Sequence, residues 1–179
     1  MRVIAGTARG VSLTAPRGDA TRPITDRVKE TLFAILGDRV PDARVLDLFA
    51  GSGAIGIEAL SRGAERVDFV ERDRNAMKAL RSNLERTRLD EGAAVHELEV
   101  ERFLASTNGE WDVVVLDPPY EVRAIVAPLR ALVPRLAPGA SVVIKHFWRT
   151  EPPEVEGLAV VRQRRFGETM LTFMELETA

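Results

Sequence analysis

The tetrapeptide Asp117-Pro118-Pro119-Tyr120 carries groups that could do chemistry on a planar amine. The Asp117 carboxylate and the Pro118 carbonyl can accept both N–H groups of an exocyclic amine, favour a pyramidal nitrogen and stabilise the cation that forms on methyl transfer. The two prolines stiffen the backbone, so these acceptors are preset. Tyr120 can stack on the planar ring that carries the amine. If that ring is a nucleic-acid base, the base must be flipped out of its double helix to reach such a pocket. These four residues are our candidate catalytic set.

A glycine-rich segment, Phe49-Ala50-Gly51-Ser52-Gly53-Ala54-Ile55-Gly56, lies between a predicted strand and a predicted helix. Gly51 and Gly53 allow backbone N–H groups to approach a ligand, and Gly56 allows the helix to pack closely on the strand. Glu71 ends the next predicted strand and is placed to accept hydrogen bonds from ribose hydroxyls. This combination favours a nucleotide-binding turn over a plain tight turn.

Asp47 indicates which nucleotide binds, because it ends the strand that enters the glycine turn. A carboxylate at this place repels a pyrophosphate but suits the amino and ribose groups of S-adenosylmethionine, a cofactor without phosphate. The same carboxylate can cap N–H groups of the turn, and the two roles are compatible. The pattern therefore favours S-adenosylmethionine over NAD.

A sheet is needed to bring these residues together. From about residue 44, short apolar runs alternate with amphipathic ones, which is typical of a mostly parallel sheet covered by helices. The predicted strands are 44–48, 66–70, 93–98, 112–116, 140–144, 158–165 and 169–176. The predicted helices are 54–62, 74–86 and 124–135, with a short turn near 101–105.

The predicted order of these elements places the two sets of candidate residues side by side. The fourth strand should lie beside the first, so that Asp117 opens onto the crevice next to the glycine turn. The last two strands are separated only by Phe166-Gly167-Glu168, which is too short for a crossover helix, so they must pair antiparallel. We therefore predict a seven-stranded, mostly parallel sheet that ends in one antiparallel hairpin.

Residues 1–37 are expected to form a basic extension that precedes a sheet domain over residues 38–179. Apolar runs at 3–5 and 11–13 are consistent with a small hairpin, and a helix should follow the N-cap residue Thr25 and end at Gly37. The whole chain has a net charge of −2, but its first thirty residues carry +3. A basic surface for nucleic acid is therefore expected in this extension, although a general arginine bias fits the composition equally well.

Composition excludes several classes of site. The chain has no cysteine, so disulfides, thiolate metal sites and cysteine nucleophiles are ruled out, and with them methylation at cytosine C5. His96 and His146 have no ligand spacing, so we expect no metal site. No apolar run approaches 18 residues, and we expect a cytoplasmic protein without membrane contact.

Four segments together resemble the RsmD-like family, within the class I S-adenosylmethionine-dependent N-methyltransferases of the (D/N)-P-P-Y type. They are residues 22–30 with Leu32-Phe33, residues 47–56 with 58–63, Asp117-Pro118-Pro119-Tyr120, and Phe166-Gly167-Glu168-Thr169. Members of this family modify the exocyclic N2 of one guanine in 16S ribosomal RNA. The resemblance implies a Rossmann-like class I fold, S-adenosylmethionine as cofactor, and 16S rRNA, or the 30S subunit that contains it, as partner of a monomeric enzyme.

The resemblance also assigns roles to residues. The expected cofactor-binding residues are Asp47, Phe49, Gly51, Ser52, Gly53, Glu71, Arg72 and Glu99, the last near the adenine amino group. The expected substrate-binding residues are Arg22, Thr25, Asp26 and Arg27. This chain departs from the family pattern at Ile24 (usually Thr), at Lys29 (usually Arg), in its FGET segment (typically YGDT), and at Lys145-His146, where an acid is expected after the fifth strand.

Other functions share parts of this pattern. A DNA adenine or cytosine amine methyltransferase can use the same tetrapeptide but usually carries a separate recognition region, and a protein glutamine methyltransferase also fits the chemistry. An NAD-dependent oxidoreductase would use the glycines but leaves Asp47 and Asp117 unexplained. A non-catalytic RNA-binding module would explain only the basic extension.

Overall fold

Seven runs rich in branched aliphatic residues form one sheet in the part of the chain that the structure describes. The structure is a computed structural model and describes residues 1–16, 24–118 and 125–177. The strands are β1 (Arg44–Leu48), β2 (Arg66–Glu71), β3 (Ala93–Glu97), β4 (Trp111–Leu116), β5 (Leu136–Phe147), β6 (Leu158–Phe166) and β7 (Thr169–Leu176).

The strand order is β3-β2-β1-β4-β5-β7-β6. β1 pairs in parallel with both β2 and β4, so the predicted neighbourhood of the first and fourth strands is confirmed. β7 runs antiparallel between β5 and β6, as the short connection requires. The carboxyl ends of β1 and β4 therefore lie at one edge of the sheet, which we call the carboxyl edge.

Five α-helices cover the sheet within the described residues. They are α1 (Asp26–Leu36), α2 (Ala54–Ser61), α3 (Arg74–Thr87), α4 (Val100–Ser106) and α5 (Val126–Leu132). Thr25 caps α1 by accepting a hydrogen bond from the Val28 N–H, as predicted. Asp73 caps α3 by accepting from two N–H groups. No described helix is long and apolar enough to cross a membrane.

Alternation along β1 sends its side chains into two separate cores. Val45 packs with the first 16 residues and with α1, α2 and α3 on one face of the sheet, where Leu32 and Phe33 are buried. Leu46 packs on the opposite face, among side chains that include Phe103 of α4 and Leu129 of α5. The N-terminal segment and α1 are thus part of the first core.

Several predicted elements differ from the structure in type or bounds: the helix predicted at 124–135 is an α-helix over Val126–Leu132, and the predicted N-terminal hairpin is an isolated bridge between Arg2 and Ser12. The turn predicted at 101–105 is a helix, α4, because seven residues are too few for a clear 3.6-residue period while Val100, Phe103 and Leu104 still bury one face. The strand predicted over 140–144 extends in both directions and spans Leu136–Phe147. Its Pro138-Gly139 pair lies in an irregularity where the β4 register shifts, rather than in the preceding loop.

Glu58 of α2 forms hydrogen bonds and ion pairs that hold the N-terminal segment, residues 1–16, against the rest of the protein. Its carboxylate accepts hydrogen bonds from the N–H groups of Ile4 (2.8 Å) and Ala5 (3.0 Å) and forms ion pairs with Lys29 (3.1 Å) and Arg62 (2.8 Å). The side chains of Glu58 and Lys29 are fully buried. Because a buried carboxylate is stable only when its lone pairs are satisfied, this pairing fixes how the segment docks.

Candidate active site

The glycine turn has the backbone geometry that a nucleotide site needs. Gly51 and Gly53 adopt positive φ angles of 56° and 75°, and Gly53 begins α2. A Cβ atom on Gly53 would lie 2.1 Å from Leu80, and one on Gly56 would lie 2.2 Å from the Phe69 ring. These two glycines are therefore required for close packing, whereas the space beside Gly51 is open.

Asn83 of α3, which the sequence analysis did not identify, binds the glycine turn through its side-chain amide. Its fully buried amide donates hydrogen bonds to the carbonyls of Ser52 (3.0 Å) and Thr14 (2.9 Å) and accepts one from the Thr14 N–H (2.8 Å). The available signal was an amide placed on the apolar face of an amphipathic helix. Ser52 is buried, and Phe49, with a φ of 60°, packs against the second core.

Asp47 presents a buried carboxylate to the crevice. One oxygen, Oδ2, accepts a hydrogen bond from the Gly56 N–H (2.9 Å), while Oδ1 is the one buried side-chain polar atom without a partner in the described residues. Burial raises the pKa of Asp47 well above its ordinary value, the Gly56 hydrogen bond opposes this, and the nearby Asp117 and Glu71 charges add to it. An acceptor that is desolvated and unpaired suits a cationic donor such as an ammonium group.

Glu71 already organises the backbone around the turn. Its carboxylate accepts hydrogen bonds from the N–H groups of Gly51 (2.9 Å), Arg72 (2.8 Å) and Asp73 (2.7 Å). A carboxylate has about four acceptor positions, so the capacity to accept a further hydroxyl proton remains. These contacts place Glu71 next to the glycine turn and allow it to receive a ribose.

Arg72 and Glu99 lie together but are bonded to each other. The Arg72 guanidinium makes hydrogen bonds of 2.9 and 3.1 Å to the two oxygens of Glu99, which directly precedes α4. Both side chains are exposed, so the pair contributes little stability. The adenine contact expected of Glu99 stays a prediction. Both Glu99 oxygens already accept hydrogen bonds from Arg72, so this contact requires either that the pair separates or that one oxygen accepts a second hydrogen bond.

Asp117 follows β4 and meets a lysine. Its N–H donates to the Leu48 carbonyl (3.3 Å), and its Oδ1 accepts a hydrogen bond from Nζ of Lys145 on β5 (2.6 Å). Burial raises the pKa of Asp117, and the Lys145 charge and hydrogen bond oppose that rise. Pro118 follows directly, while the predicted catalytic residues Pro119 and Tyr120 lie outside the described residues.

Three of the expected substrate-binding residues, Thr25, Asp26 and Arg27, make different contacts at the start of α1. Thr25 caps the helix, and Asp26 accepts a hydrogen bond from Arg2 (3.2 Å). The Arg27 guanidinium lies 6.0 Å from the ring centroid of Phe166 at the tip of the β6–β7 hairpin. Arg22 lies outside the described residues. Arg27 is therefore the member of this set that reaches the carboxyl edge beside the hairpin.

Taken together, the described residues fit S-adenosylmethionine on one side of the crevice and an amine on the other. Asp47 offers an unpaired acceptor for the cofactor's ammonium group, and Glu71 an acceptor for its ribose. Asp117 keeps one carboxylate oxygen, Oδ2, for a substrate N–H. No group of three or more histidines, aspartates or glutamates in the described part of the chain could hold a metal ion.

Comparison with known proteins identifies similar sequences and folds. The sequence model of the family described as "Conserved hypothetical protein 95" matches residues 1–175. The chain is 41% identical over 175 residues to the candidate rRNA methyltransferase YlbH of Bacillus subtilis, covering 94% of this chain and 95% of that one. It is also 41% identical over 120 residues to ribosomal RNA small subunit methyltransferase D of Escherichia coli K12, covering 67% of this chain and 60% of that protein.

A solved structure has a closely similar fold. The structure of the candidate methyltransferase yhhF from Escherichia coli superimposes with a TM-score of 0.88 at 32% identity, covering 99% of this chain and 98% of that one. The fold is therefore the Rossmann-like class I methyltransferase fold that the sequence predicts, with its C-terminal antiparallel hairpin.

Proposed function

The chain belongs to the family described as conserved hypothetical protein 95, the RsmD-like methyltransferases, and from this membership we propose that it methylates the exocyclic N2 of a guanine in 16S rRNA. The methyl donor in this proposal is S-adenosylmethionine. The observation that carries the proposal is the adjacency of Asp47 and Asp117: Asp47 lies in β1, Asp117 directly follows the neighbouring parallel strand β4, and the Asp117 charge helps to raise the pKa of Asp47. One end of the crevice then takes a cofactor cation and the other takes an amine.

The residues of the chain divide the work. Asp47, Gly51, Gly53 and Glu71 hold the cofactor, with Phe49, Ser52, Arg72 and Glu99 around them. When bound, the cofactor supplies an electrophilic methyl group. Asp117 and the Pro118 carbonyl accept the two N–H groups of guanine N2, which stabilises the positive charge that develops on that nitrogen. Pro119 and Tyr120 complete the proposed pocket.

Substrate contact extends to the N-terminal part of the chain. We assign residues 1–37 as an RNA-contacting extension and residues 38–179 as the methyltransferase domain. Arg22, Thr25, Asp26 and Arg27 border the site in this proposal, and the position of Arg27 beside Phe166 supports it. The partner is 16S rRNA within an assembled 30S subunit, because the chain has a net charge of −2 and cannot rely on a strong overall field.

The test is incubation with radiolabelled S-adenosylmethionine and, in parallel, naked 16S rRNA, 30S subunits and DNA, followed by nucleoside analysis. We expect label in N2-methylguanosine from rRNA, with more from 30S subunits than from naked RNA. The Asp117→Ala variant serves as the inactive control. Label in N6-methyladenine from DNA, or none in rRNA, would overturn the proposal.

A further inference from the structure

A tryptophan with two arginines occupies the carboxyl edge of the sheet, outside the site described above. The guanidinium carbon of Arg165 lies 3.6 Å from the ring centroid of Trp148, and that of Arg149 lies 4.9 Å from it. Phe147 flanks the same indole at 6.3 Å between centroids. We call Trp148, Arg149 and Arg165 the Trp148 cluster, and we propose that it binds the single-stranded RNA that flanks the target nucleotide. This inference rests on the proposed function and names a further part of its substrate site.

Backbone contacts hold the cluster at a fixed place. Trp148 follows β5, and its N–H donates to the Glu168 carbonyl in the β6–β7 turn (2.9 Å). The Arg165 side chain donates to the Gly167 carbonyl of the same turn (2.9 Å). The tip of the hairpin and the end of β5 are therefore joined, and the aromatic ring is positioned before any ligand arrives.

The cluster holds two positive charges close together at the surface. The guanidinium groups of Arg149 and Arg165 both lie against the Trp148 indole, at 4.9 and 3.6 Å from its centroid. Both arginines are exposed and Trp148 is half-buried. Like charges held close together are costly without an anion, and a phosphate between them would relieve the repulsion.

The β6–β7 hairpin has basic side chains near its turn and acidic side chains near its other end. Arg162, Arg164 and Arg165 lie in the part of β6 that approaches the carboxyl edge, where Glu168 is the acid of the turn. At the opposite end, Glu154, Glu156 and Glu177 line a concave surface. The segment from 145 to 179 has nearly balanced charge, but its cationic part lies at the edge that carries Asp117.

The distance from the candidate active site suits a short stretch of RNA. Lys145 contacts Asp117, and Trp148 lies three residues further along the chain, so the backbones of Lys145 and Trp148 are at most roughly 10 Å apart. Stacked nucleotides advance by about 3.4 Å each. A strand whose target guanine lies at Asp117 therefore reaches the cluster about three nucleotides away.

The chemistry favours RNA over a protein partner. An indole with exposed area can stack on any base, and guanidinium groups bind phosphate and also stack on bases. An acidic peptide would use the arginines but not the aromatic face. The two partners thus differ in whether Trp148 matters for binding.

The experiment compares Arg149→Gln/Arg165→Gln and Trp148→Leu with a matched control, Arg130→Gln. Arg130 is an exposed arginine in the last turn of α5, away from the carboxyl edge. Binding of a 16S rRNA fragment is measured over a range of salt concentrations, together with KM and kcat for methyl transfer, S-adenosylhomocysteine affinity and thermal unfolding. The double arginine variant is expected to raise KM about tenfold and to reduce the salt dependence of log Kd by about 1 to 1.5, since each lost contact to single-stranded RNA removes about 0.7.

Trp148→Leu is expected to weaken RNA binding at least about fivefold with little change in salt dependence, because stacking is largely uncharged. In both variants kcat and S-adenosylhomocysteine affinity should stay at the wild-type values. The inference would be overturned if the RNA affinity and the KM of both variants equalled those of the control variant. It would also be overturned if KM rose with 30S subunits while affinity for RNA alone was unchanged, because that result indicates contact with a ribosomal protein. If the wild type methylates no rRNA, the proposed function fails, and the binding measurements still decide whether the cluster contacts RNA.

Discussion

Lys145 donates a 2.6 Å hydrogen bond to Oδ1 of Asp117, so the carboxylate at the centre of the candidate active site is one half of an ion pair. The lysine stands near the place where the resemblance described above leads us to expect an acid. A positive charge here favours the ionised form of Asp117, which burial disfavours. The pair leaves Oδ2 as the acceptor for the substrate amine.

Replacing Lys145 should shift the pH dependence of the reaction. In Lys145→Met the pKa of Asp117 rises, because burial remains and the opposing charge is gone. The acid limb of the kcat/KM profile therefore moves to higher pH. The profile is measured between about pH 5 and pH 9. Lys145→Arg keeps the charge and should keep the wild-type profile, so equal shifts in the two variants would contradict this account.

Asp47 should make stability depend on pH. Its pKa is raised in the folded protein, so the neutral carboxyl stabilises the fold fully below the unfolded-state pKa of about 3.9, and this contribution is lost as the pH rises through the folded-state pKa. Asp47→Asn cannot ionise. The stability of this variant relative to the wild type should therefore increase with pH above about pH 4, as measured by urea denaturation. A difference that stays constant over pH would show that Asp47 titrates normally.

Glu71 and Asp117 should separate cofactor binding from catalysis. Glu71→Ala removes an acceptor beside the glycine turn and should weaken S-adenosylhomocysteine binding about tenfold or more. Asp117→Ala should retain that affinity within about threefold but lower kcat at least about 100-fold, since it removes an acceptor for the charge that forms on nitrogen. Calorimetry and methyl-transfer assays test this, and equal losses of cofactor affinity in both variants would contradict the assigned roles.

Lys29 should be important for stability, because it is a fully buried ion-pair partner of Glu58. Lys29→Met leaves Glu58 buried without its lysine partner, which costs about 3 to 5 kcal/mol in the free energy of unfolding. The matched control is Arg74→Met, whose side chain is 89% exposed and whose distance to Glu97 is 4.0 Å, and its cost should be below about 0.5 kcal/mol. Denaturant unfolding of both variants gives the comparison, and similar costs would show that Glu58 is satisfied without Lys29.

Gly6 and Gly10 form a natural pair of test and control. Both have positive φ angles, 82° and 85°, so an alanine at either carries similar backbone strain of about 1 to 2 kcal/mol. A Cβ on Gly6 would also lie 1.6 Å from the Ser61 carbonyl oxygen, whereas a Cβ on Gly10 would meet no neighbouring atom within 4 Å. Gly6→Ala should therefore lower the melting temperature by several degrees more than Gly10→Ala. Equal melting temperatures would mean that the N-terminal segment shifts without cost.

Local pattern and spacing predicted most of the fold. β1 and β7 have the predicted bounds, and Thr25 caps α1, because apolar alternation and a hydroxyl before a helix act within a few residues. α4 was predicted as a turn, since seven residues with three buried side chains give too little periodicity. The early part of β5 was missed because Pro138-Gly139 signals a loop and only the pairing partner β4 shows otherwise.

The candidate site was predictable as a set of residues but not as a set of contacts. Asp47, Gly51, Gly53 and Glu71 have the expected relationship to their strands, because motif spacing fixes it. The partner of Asp117 depends on which side chain of β5 lies opposite, and the sequence places Lys145 28 residues away. The buried pair of Lys29 and Glu58 is equally non-local. A lysine in a sequence is expected at the solvated surface, so its burial could not be predicted.

The Asn83 amide links the local unfolding of the N-terminal segment to that of the glycine turn. It bonds Thr14 of the N-terminal segment and Ser52 of the glycine turn at the same time, from a fully buried position. If either segment detaches, a buried amide loses partners that water cannot replace locally, so release of one weakens the attachment of the other. The segment and the turn should thus behave as one cooperative unit, and their backbone amides should exchange hydrogen at a common rate.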